Sequence, residues 1–286
     1  MCRPKNYVGA NFSCRVLPTP SHADSESVVI RRLETLDEFQ SCVDLQIDVW
    51  GAGFTDVVPA SILQVASHID GLILGAFADA TLIGFVFGLT GVKGGEIVHW
   101  SHMLGVRAQT RGMGIGRRLK EAQRAELARR GVAREFWTFD PLQARNAHLN
   151  INRLGVRVID YAVNMYGTTG SPLHLGIATD RFIVELDTTK TPHPTHVAVG
   201  PAKLPIFTPA PRTGDVVADG DKPASALIEL PWDVQNGALS SDEMLRWRIA
   251  TRSYFQWAFL HRYRVSALHR DHEAERAFYV IDRGEA

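Results

Sequence analysis

The chain has 286 residues, with 31 Lys and Arg against 31 Asp and Glu, so its formal net charge is zero, and 45% of its residues are hydrophobic. These values are typical of a globular chain of about one to two domains. The neutral balance excludes an electrostatic footprint for bulk nucleic acid, and we expect no nucleic-acid partner. No apolar run approaches the roughly 18 residues of a membrane span, so we expect no membrane partner.

The three cysteines, Cys2, Cys14 and Cys42, are odd in number and include no CxxC pair. This pattern argues against a disulfide framework and a thiolate zinc site, and we expect no bound metal. A reducing, cytoplasmic location is the corresponding expectation. Residues 1–26 lack the apolar stretch of a secretory signal and are predicted to be a flexible tail.

Residues 27–187 carry a regular succession of strand and helix patterns. After a short β-branched strand at 28–33, apolar residues recur every three or four positions from Leu36 to Trp50, which predicts a helix. The further predicted elements are a helix at 59–69, strands at 72–78, 82–89 and 97–106, a helix after a turn at 111–116, a strand at 134–139, a helix at 145–154, and strands at 156–161 and 181–186. This order predicts a mixed α/β (α+β) domain.

Prolines recur between residues 188 and 223, where apolar periodicity is weak, so this stretch is predicted to be a linker or a surface-wrapping loop. Residues 224–286 are predicted to form a small strand–helix–strand–strand unit. Its helix begins with the capping-box pair Ser240 and Glu243. Because such a unit has a small core, we expect it to dock against the first domain.

The turn at 111–116 is rich in glycine and leads from a predicted strand into a predicted helix. Such a turn offers backbone N–H groups at a helix N-terminus, where a phosphate group is favoured. A dinucleotide motif would follow the first strand, whereas at least three strands precede this turn. A Walker loop would end in Gly-Lys-Ser/Thr, whereas Arg117 and Arg118 stand here. A tight turn without a ligand stays open as an alternative.

The turn resembles the acetyl-coenzyme A signature of the GNAT superfamily of N-acyltransferases. Arg111, Gly114 and Gly116 fit the family pattern of Arg or Gln, two residues, Gly, one residue, and Gly or Ala. The resemblance extends over residues 28–186 through three further matches: Leu104-Gly105-Val106, Ala147 and Leu154-Gly155-Val156. It implies a mixed, mostly antiparallel sheet flanked by helices. More narrowly, the chain resembles a branch of bacterial predicted acetyltransferases that carry a C-terminal extension.

In this family the fourth and fifth strands splay apart, and the pantetheine arm of the acyl-coenzyme A (acyl-CoA) enters the gap. The resemblance therefore implies acetyl-CoA or another acyl-CoA as co-substrate. The resemblance also implies that three parts of the chain hold the acyl-CoA. They are the backbone of one strand, the glycine-rich turn and an asparagine of a later helix. The residues concerned are Met103, Leu104, Gly105, Val106, Arg111, Gly112, Met113, Gly114, Ile115, Gly116 and Asn146.

Acylation of an amine needs a base that can take a proton near neutral pH. His102 is the best candidate, because some relatives place a base histidine four residues before the equivalent of Val106, and imidazole has a suitable pKa. A hydrogen-bonded strand histidine without chemistry is the alternative. Strand alternation predicts that Trp100, His102 and Leu104 share one face, opposite His99, Ser101 and Met103. Glu96, at the strand start, is a second candidate base.

The proton donor for the leaving thiolate is less evident. Many relatives carry a tyrosine where this chain has Ile151, so Tyr161 or Tyr166 would have to reach the site, or the thiolate leaves unassisted or takes a proton from water. Asp140, at the end of a predicted strand, either faces the acceptor or caps the next helix. His148 and Asn152 are four residues apart and lack a third metal ligand.

The C-terminal helix and hairpin contain many arginines between aromatic residues. Helical spacing indicates that the aromatics are core and the arginines a solvated or salt-bridged face, although an acceptor carboxylate or a CoA phosphate bound by one of them stays open. The arginines are Arg246, Arg248, Arg252, Arg262 and Arg264.

These observations predict an acyl-CoA-dependent N-acyltransferase in which the amine of a small molecule attacks the thioester directly. Two other functions stay open: a non-catalytic acyl-CoA sensor or scaffold, and a protein-lysine acetyltransferase. The C-terminal extension is where acceptor specificity or homodimer contacts are expected.

Overall fold

A computed structural model describes residues 27–167, 177–191, 204–207, 222–234 and 239–283. The predicted tail and most of the predicted linker lie outside these residues. The strands are β1 (Val28–Arg32), β2 (Leu72–Ala78), β3 (Thr81–Lys93), β4 (Glu96–Val106), β5 (Arg134–Phe139), β6 (Arg157–Ala162), β7 (Arg181–Asp187), β8 (Ile206–Phe207), β9 (Ser225–Leu230), β10 (Tyr263–Asp271) and β11 (Arg276–Arg283). The helices are α1 (Leu36–Trp50), α2 (Ala60–His68), α3 (Ile115–Arg129), α4 (Ala144–Ala147) and α5 (Ser241–Leu260).

The larger sheet has seven strands in the order β1-β2-β3-β4-β5-β7-β6. Every neighbouring pair in it is antiparallel except β4 and β5, which run parallel. The expected mixed, mostly antiparallel sheet is therefore confirmed. A parallel pair needs a crossover connection, and α3 provides it between β4 and β5.

Helices cover both faces of this sheet, because each helix presents an apolar stripe. A capping box between Thr35 and Glu38 starts α1, and α1 and α2 bury apolar side chains against one face of β2 and β3 together with Met103. On the other face, Ile115, Leu119 and Leu127 of α3 pack against the same strands. Each such buried side chain contributes about 1.5–3 kcal/mol.

The C-terminal unit contains a four-stranded sheet in the order β10-β11-β9-β8 and the helix α5, which starts at the predicted Ser240–Glu243 capping box. Within the predicted linker, β8 pairs in parallel with β9, so part of that stretch is a strand. Phe255 of α5 and Tyr279 of β11 share one apolar core with Phe182 of β7. No described helix is long and apolar enough to cross a membrane.

The predicted helix at 145–154 is only partly α-helical. It begins as α4 and continues as a π-helical turn, His148–Arg153. Such turns are rare and occur often at functional sites. Side chains of this turn reach both the larger sheet and the C-terminal unit.

Candidate active site

The neighbouring parallel strands β4 and β5 separate after a short pairing. Residues 98–100 pair with residues 134–136, whereas β4 continues to Val106 and β5 to Phe139. Beyond this pairing, the edge of β4 that faces β5 has no strand partner in the described part of the chain. Its backbone N–H and C=O groups are therefore open to a ligand. We call this wedge-shaped opening the cleft.

The glycine loop, residues 111–116, follows β4 at the open end of the cleft. Gly112 and Gly114 have φ of +88° and +75°, and a Cβ built on either would have no atom within 4 Å. The positive φ therefore favours glycine at both positions, and the absence of a side chain leaves free space above the loop. Gly114 is the N-cap of α3 and makes no side-chain capping bond. The first-turn N–H groups are left for an anion, as a phosphate site requires.

Packing alone explains the glycine at position 105. A Cβ there would lie 2.9 Å from Cε1 of Phe85 and 3.2 Å from Cη2 of Trp50. Both contacts are on the α1 side of the sheet. Gly105 thus lets α1 approach β4 closely, whether or not a ligand binds in the cleft.

His102 lies on a β-bulge in β4. Gly88 of β3 pairs with Ser101 and Phe87 pairs with Met103, so His102 is the extra residue of the bulged strand. A bulge reverses the alternation of side chains. Ser101 faces α3, where its hydroxyl donates to Gln123 at 2.9 Å, whereas Met103 packs on the α1 and α2 side. The predicted common face of His99, Ser101 and Met103 was therefore wrong.

His102 keeps part of its surface exposed, and its imidazole lies edge-on to the ring of Phe87, with centroids 6.2 Å apart. Partial burial by its neighbours lowers its pKa, and the carboxylate of Asp56 acts in the opposite direction. A neutral imidazole at neutral pH can accept a proton. Asp56 belongs to the loop after α1, and no sequence pattern marks it.

No family model and no curated protein matches the sequence significantly. Several solved structures resemble it. One is the ribosomal-protein-S18-alanine N-acetyltransferase from Escherichia coli (19% identity, 59% of this chain and 99% of that chain, TM-score 0.45). Another is yncA from Salmonella typhimurium with its cofactor acetyl-CoA (15%, 59% and 98%, 0.45). A third is an acetyltransferase of the GNAT family from Streptococcus pneumoniae (15%, 56% and 99%, 0.45).

Because these identities and TM-scores are low, the fold is assigned from this chain's own features. They are the strand order, the separation of β4 from β5 and the glycine loop. The chain has the GNAT fold. The C-terminal unit follows the seven-stranded sheet in the chain and has a sheet of its own.

A buried polar network fills the narrow end of the cleft on the α3 side of the GNAT fold. His99 is fully buried, contacts Thr90 Oγ1 at 3.1 Å and Gln123 Nε2 at 3.2 Å, and has its pKa lowered to about 3, mainly by burial. Lys120 Nζ lies 2.5 Å from Glu135 Oε1, and both side chains are buried. Sequence reasoning missed this pair, since two charges inside a helix and a strand give no local signal.

The same network continues onto β5 and the π-helical turn. The ammonium group of Lys120 lies 3.6 Å from the ring centroid of Trp137, and the Trp137 indole donates to Asn150 Oδ1 at 2.8 Å. The Asn150 amide in turn donates to the backbone and side-chain oxygens of Asn146 at 2.8 and 2.9 Å. Asn146 is thus held beside the cleft and keeps a half-exposed side chain.

Glu96 does not fit the role of a base in the cleft. It is exposed at the start of β4, where its carboxylate pairs with Arg134 Nη1 at 3.0 Å. Six residues of extended strand separate it from His102, or about 20 Å. It therefore lies at the end where β4 and β5 are paired, too far from the open part of the cleft to serve as its base.

Tyr166 is the tyrosine that reaches the mouth of the cleft. Its hydroxyl lies 3.1 Å from Oγ1 of Thr138 on β5. Tyr161 is instead buried and donates to Asp180 Oδ2 at 2.6 Å; burial, together with this bond, raises its pKa. Ile151, at the family's tyrosine position, is buried in the core. Tyr166 is therefore the better placed proton donor of the two.

Asp140 is buried, and its hydrogen-bond and ion-pair partners are not groups that take part in proton transfer. Its Oδ2 accepts from Arg248 Nη2 at 2.7 Å and lies 3.5 Å from Arg181 Nη1, while its Oδ1 accepts from the backbone N–H of Leu142 at 2.9 Å. Burial raises the pKa of Asp140, but the two guanidinium groups outweigh it and the pKa is lowered. Asp140 is thus ionised and holds α5 in place. It neither faces an open acceptor site nor acts as the N-cap of the next helix. The N-cap of α4 is Gln143.

His148 and Asn152 of the π-helical turn do not form a site together. The Asn152 amide bonds to the backbone of Leu268 in β10, whereas Nδ1 of His148 is buried without a partner among the described residues. Across the described ranges, no group of three or more His, Cys, Asp or Glu side chains is arranged to hold a metal ion.

Proposed function

We propose that this chain is an acyl-CoA-dependent N-acyltransferase that acylates the amine of a small molecule. One observation carries the proposal: the cleft between β4 and β5 ends at the glycine loop, and the bulged His102 lies on the cleft's own strand. A thioester arm, its diphosphate and a base can thus occupy adjacent positions along one strand.

The residues present fit an acyl-CoA. Free space above Gly112 and Gly114 and the uncapped start of α3 suit the diphosphate. The unpaired edge of residues 103–106 can bond to the amide groups of the arm as a strand would, and one N–H there can polarise the thioester carbonyl. The bound acyl-CoA would supply an acyl group activated as a thioester.

His102 then takes the proton that the amine loses. The amine nitrogen forms a bond to the acyl carbon, the carbon–sulfur bond breaks with its electron pair on sulfur, and the amine proton moves to the imidazole. The thiolate receives a proton from Tyr166 or from water. The lowered pKa of His102 keeps the imidazole neutral and ready to accept a proton at neutral pH.

A non-catalytic acyl-CoA binder is the second candidate. The buried Ile151 favours it, because a residue that cannot donate a proton occupies the family's usual donor position. Turnover distinguishes the two functions, since a binder would take up acyl-CoA without releasing free CoA.

The test measures thiol release from acetyl-CoA with a panel of small amines, and acyl-CoA binding by calorimetry. Turnover supports the enzyme, whereas tight binding without turnover for any amine and acyl length supports the binder. His102→Gln is expected to lower kcat about 100-fold with unchanged CoA affinity. His68→Gln, at an exposed position ending α2, is the control. Full activity of His102→Gln would remove the base assignment.

A further inference from the structure

The buried network beside β5 ends in a polar group that is open to solvent. Asn146 accepts hydrogen bonds from the Asn150 amide at its backbone and its side-chain oxygen, at 2.8 and 2.9 Å. Its amide nitrogen, Nδ2, bonds to no residue in the described part of the chain and is not shut off from solvent. Because Asn146 is half-exposed, this NH2 group is available to a ligand as a donor.

Two contacts in succession define which end of the Asn146 amide is the free one. The Trp137 indole nitrogen can only donate, so the atom that it meets at 2.8 Å is the Asn150 carbonyl oxygen. The Asn150 nitrogen therefore faces Asn146, and the atom that it meets there at 2.9 Å is again a carbonyl oxygen. The opposite orientation of either amide would place two donors or two acceptors face to face. The NH2 end of Asn146 is thus the one left free.

Trp137, the first member of this relay, is itself held in one orientation. It is buried on the α3 side of β5, where the ammonium group of Lys120 lies 3.6 Å from its ring centroid. That ammonium group pairs with Glu135, two residues earlier on the same face of β5. The indole ring is therefore packed on its face and bonded at its N–H, so the direction of the N–H bond is fixed.

The free NH2 group lies on the α3 side of the cleft, next to its open part. The chain leaves β5 at Phe139 and by Asn150 is again beside Trp137, so the helical segment runs back along the strand. Asn146, one turn before Asn150, is thus closer to the end of β5. The pairing of β4 with β5 is at the other end of the strand, at residues 134–136.

We propose that Trp137 and Asn150 are positioning residues that turn the NH2 group of Asn146 towards the pantetheine arm of the acyl-CoA. The inference rests on the proposed acyl transfer. Each amide of the arm has one N–H, which the carbonyl groups of the open β4 edge can accept, and one carbonyl oxygen, which can accept two bonds. A second neighbour must therefore donate. The relay sets the donor before the ligand arrives, which lowers the entropy that binding costs.

The experiment measures the binding of two ligands to the full-length protein by calorimetry. CoA carries the arm, whereas 3′-phosphoadenosine 5′-diphosphate is the nucleotide end of CoA without it. The ratio of the two affinities therefore reports contacts to the arm. Asn146→Leu keeps the approximate size of the side chain and removes the donor. It should weaken CoA binding about 10-fold and leave binding of the nucleotide unchanged.

Trp137→Phe then connects this contact with the relay. Phenylalanine keeps a ring against Lys120 but cannot donate to Asn150, so both amides become free to rotate. CoA binding should weaken about 3- to 10-fold, with no further loss when Trp137→Phe is added to Asn146→Leu. With acetyl-CoA as substrate, the KM should rise and kcat should stay nearly unchanged. A residue that only stabilises the fold would not lose its effect in the Asn146→Leu background.

Trp257→Phe is the matched control. The Trp257 indole nitrogen is also buried, but it has no acceptor among the described residues, and it belongs to α5. Its loss should leave the ratio of the two affinities unchanged. Circular dichroism checks folding. If Trp137→Phe does not fold, Asn150→Ala removes the same link and takes its place in the double variant.

Unchanged CoA binding in Asn146→Leu would overturn the inference while leaving acyl-CoA binding intact. Additive losses in the double variant would also overturn it, because Trp137 would then not act through Asn146. If the unaltered protein binds no CoA, the proposed function fails, and the inference fails with it.

Discussion

Asn152 and Leu268 exchange two hydrogen bonds across the boundary between the GNAT fold and the C-terminal unit. The Asn152 amide donates to the Leu268 carbonyl oxygen at 2.8 Å and accepts from the Leu268 N–H at 2.9 Å. The side chain thus replaces a strand neighbour for β10. The π-helical turn that carries Asn152 is fixed to the C-terminal sheet by this pair.

Asn152→Ala should destabilise the protein by about 2 kcal/mol, because it leaves a buried N–H and C=O of Leu268 without their partner. Denaturant unfolding measures this. Gln40→Ala removes an exposed amide of α1 and serves as control, with an expected change within about 0.5 kcal/mol. Equal effects of the two substitutions would show that the Asn152 bonds do not hold the C-terminal unit.

The buried pair of Lys120 and Glu135 should behave differently when one or both charges are removed. Lys120→Met leaves an unpaired carboxylate in the interior and should cost about 3–5 kcal/mol. The double variant Lys120→Met, Glu135→Leu should recover most of that loss, since no buried charge remains. Unfolding free energies of the four proteins form a cycle, and a strictly additive cycle would contradict the pairing.

His99 should make stability dependent on pH. Its pKa is about 3 in the folded protein against about 6.5 when unfolded, so below pH 6.5 the unfolded chain binds a proton that the folded chain does not. Stability is fully present above pH 6.5 and falls by about 1.4 kcal/mol per unit as pH drops towards 3. His99→Gln should show a shallower fall between pH 6.5 and 5. An unchanged slope would mean that His99 becomes protonated in the folded state.

Gly114→Ala should weaken CoA binding by at least about 10-fold, because a methyl group enters the space above the glycine loop. Gly94→Ala is a matched control. Gly94 also has positive φ, +61°, and free space around it, but it lies in the hairpin between β3 and β4. Both variants should lose about 1 kcal/mol of stability. Calorimetry should show weaker CoA binding for Gly114→Ala and unchanged binding for Gly94→Ala. Equal CoA affinities of the two variants would contradict the role of the glycine loop.

Tyr166→Phe should lower kcat about 10-fold or more if its hydroxyl protonates the thiolate, with little change in stability. Tyr161→Phe should lower the stability and leave kcat nearly unchanged, because it removes a buried hydrogen bond to Asp180 and lies away from the cleft. Steady-state kinetics and thermal unfolding of both variants check this contrast. Full activity of Tyr166→Phe would leave water as the proton source.

The features that depend on neighbours along the chain could be predicted from the amino-acid sequence. Apolar spacing predicted α1, the Ser240–Glu243 pair predicted the start of α5, and the glycines at 112 and 114 predicted a turn before α3. Each of these features depends on the backbone geometry of a few consecutive residues, so a short sequence pattern is enough to predict it.

The remaining features depend on contacts between segments that are distant in sequence. The bulge at His102 is a mismatch between two strands, and it moved Met103 to the face opposite Ser101. Asp140 and Arg248 are 108 residues apart, and their contact turned a candidate catalytic aspartate into a structural anchor. Such relationships depend on which distant segments pack together, and periodicity, capping and turn patterns record only short-range preferences.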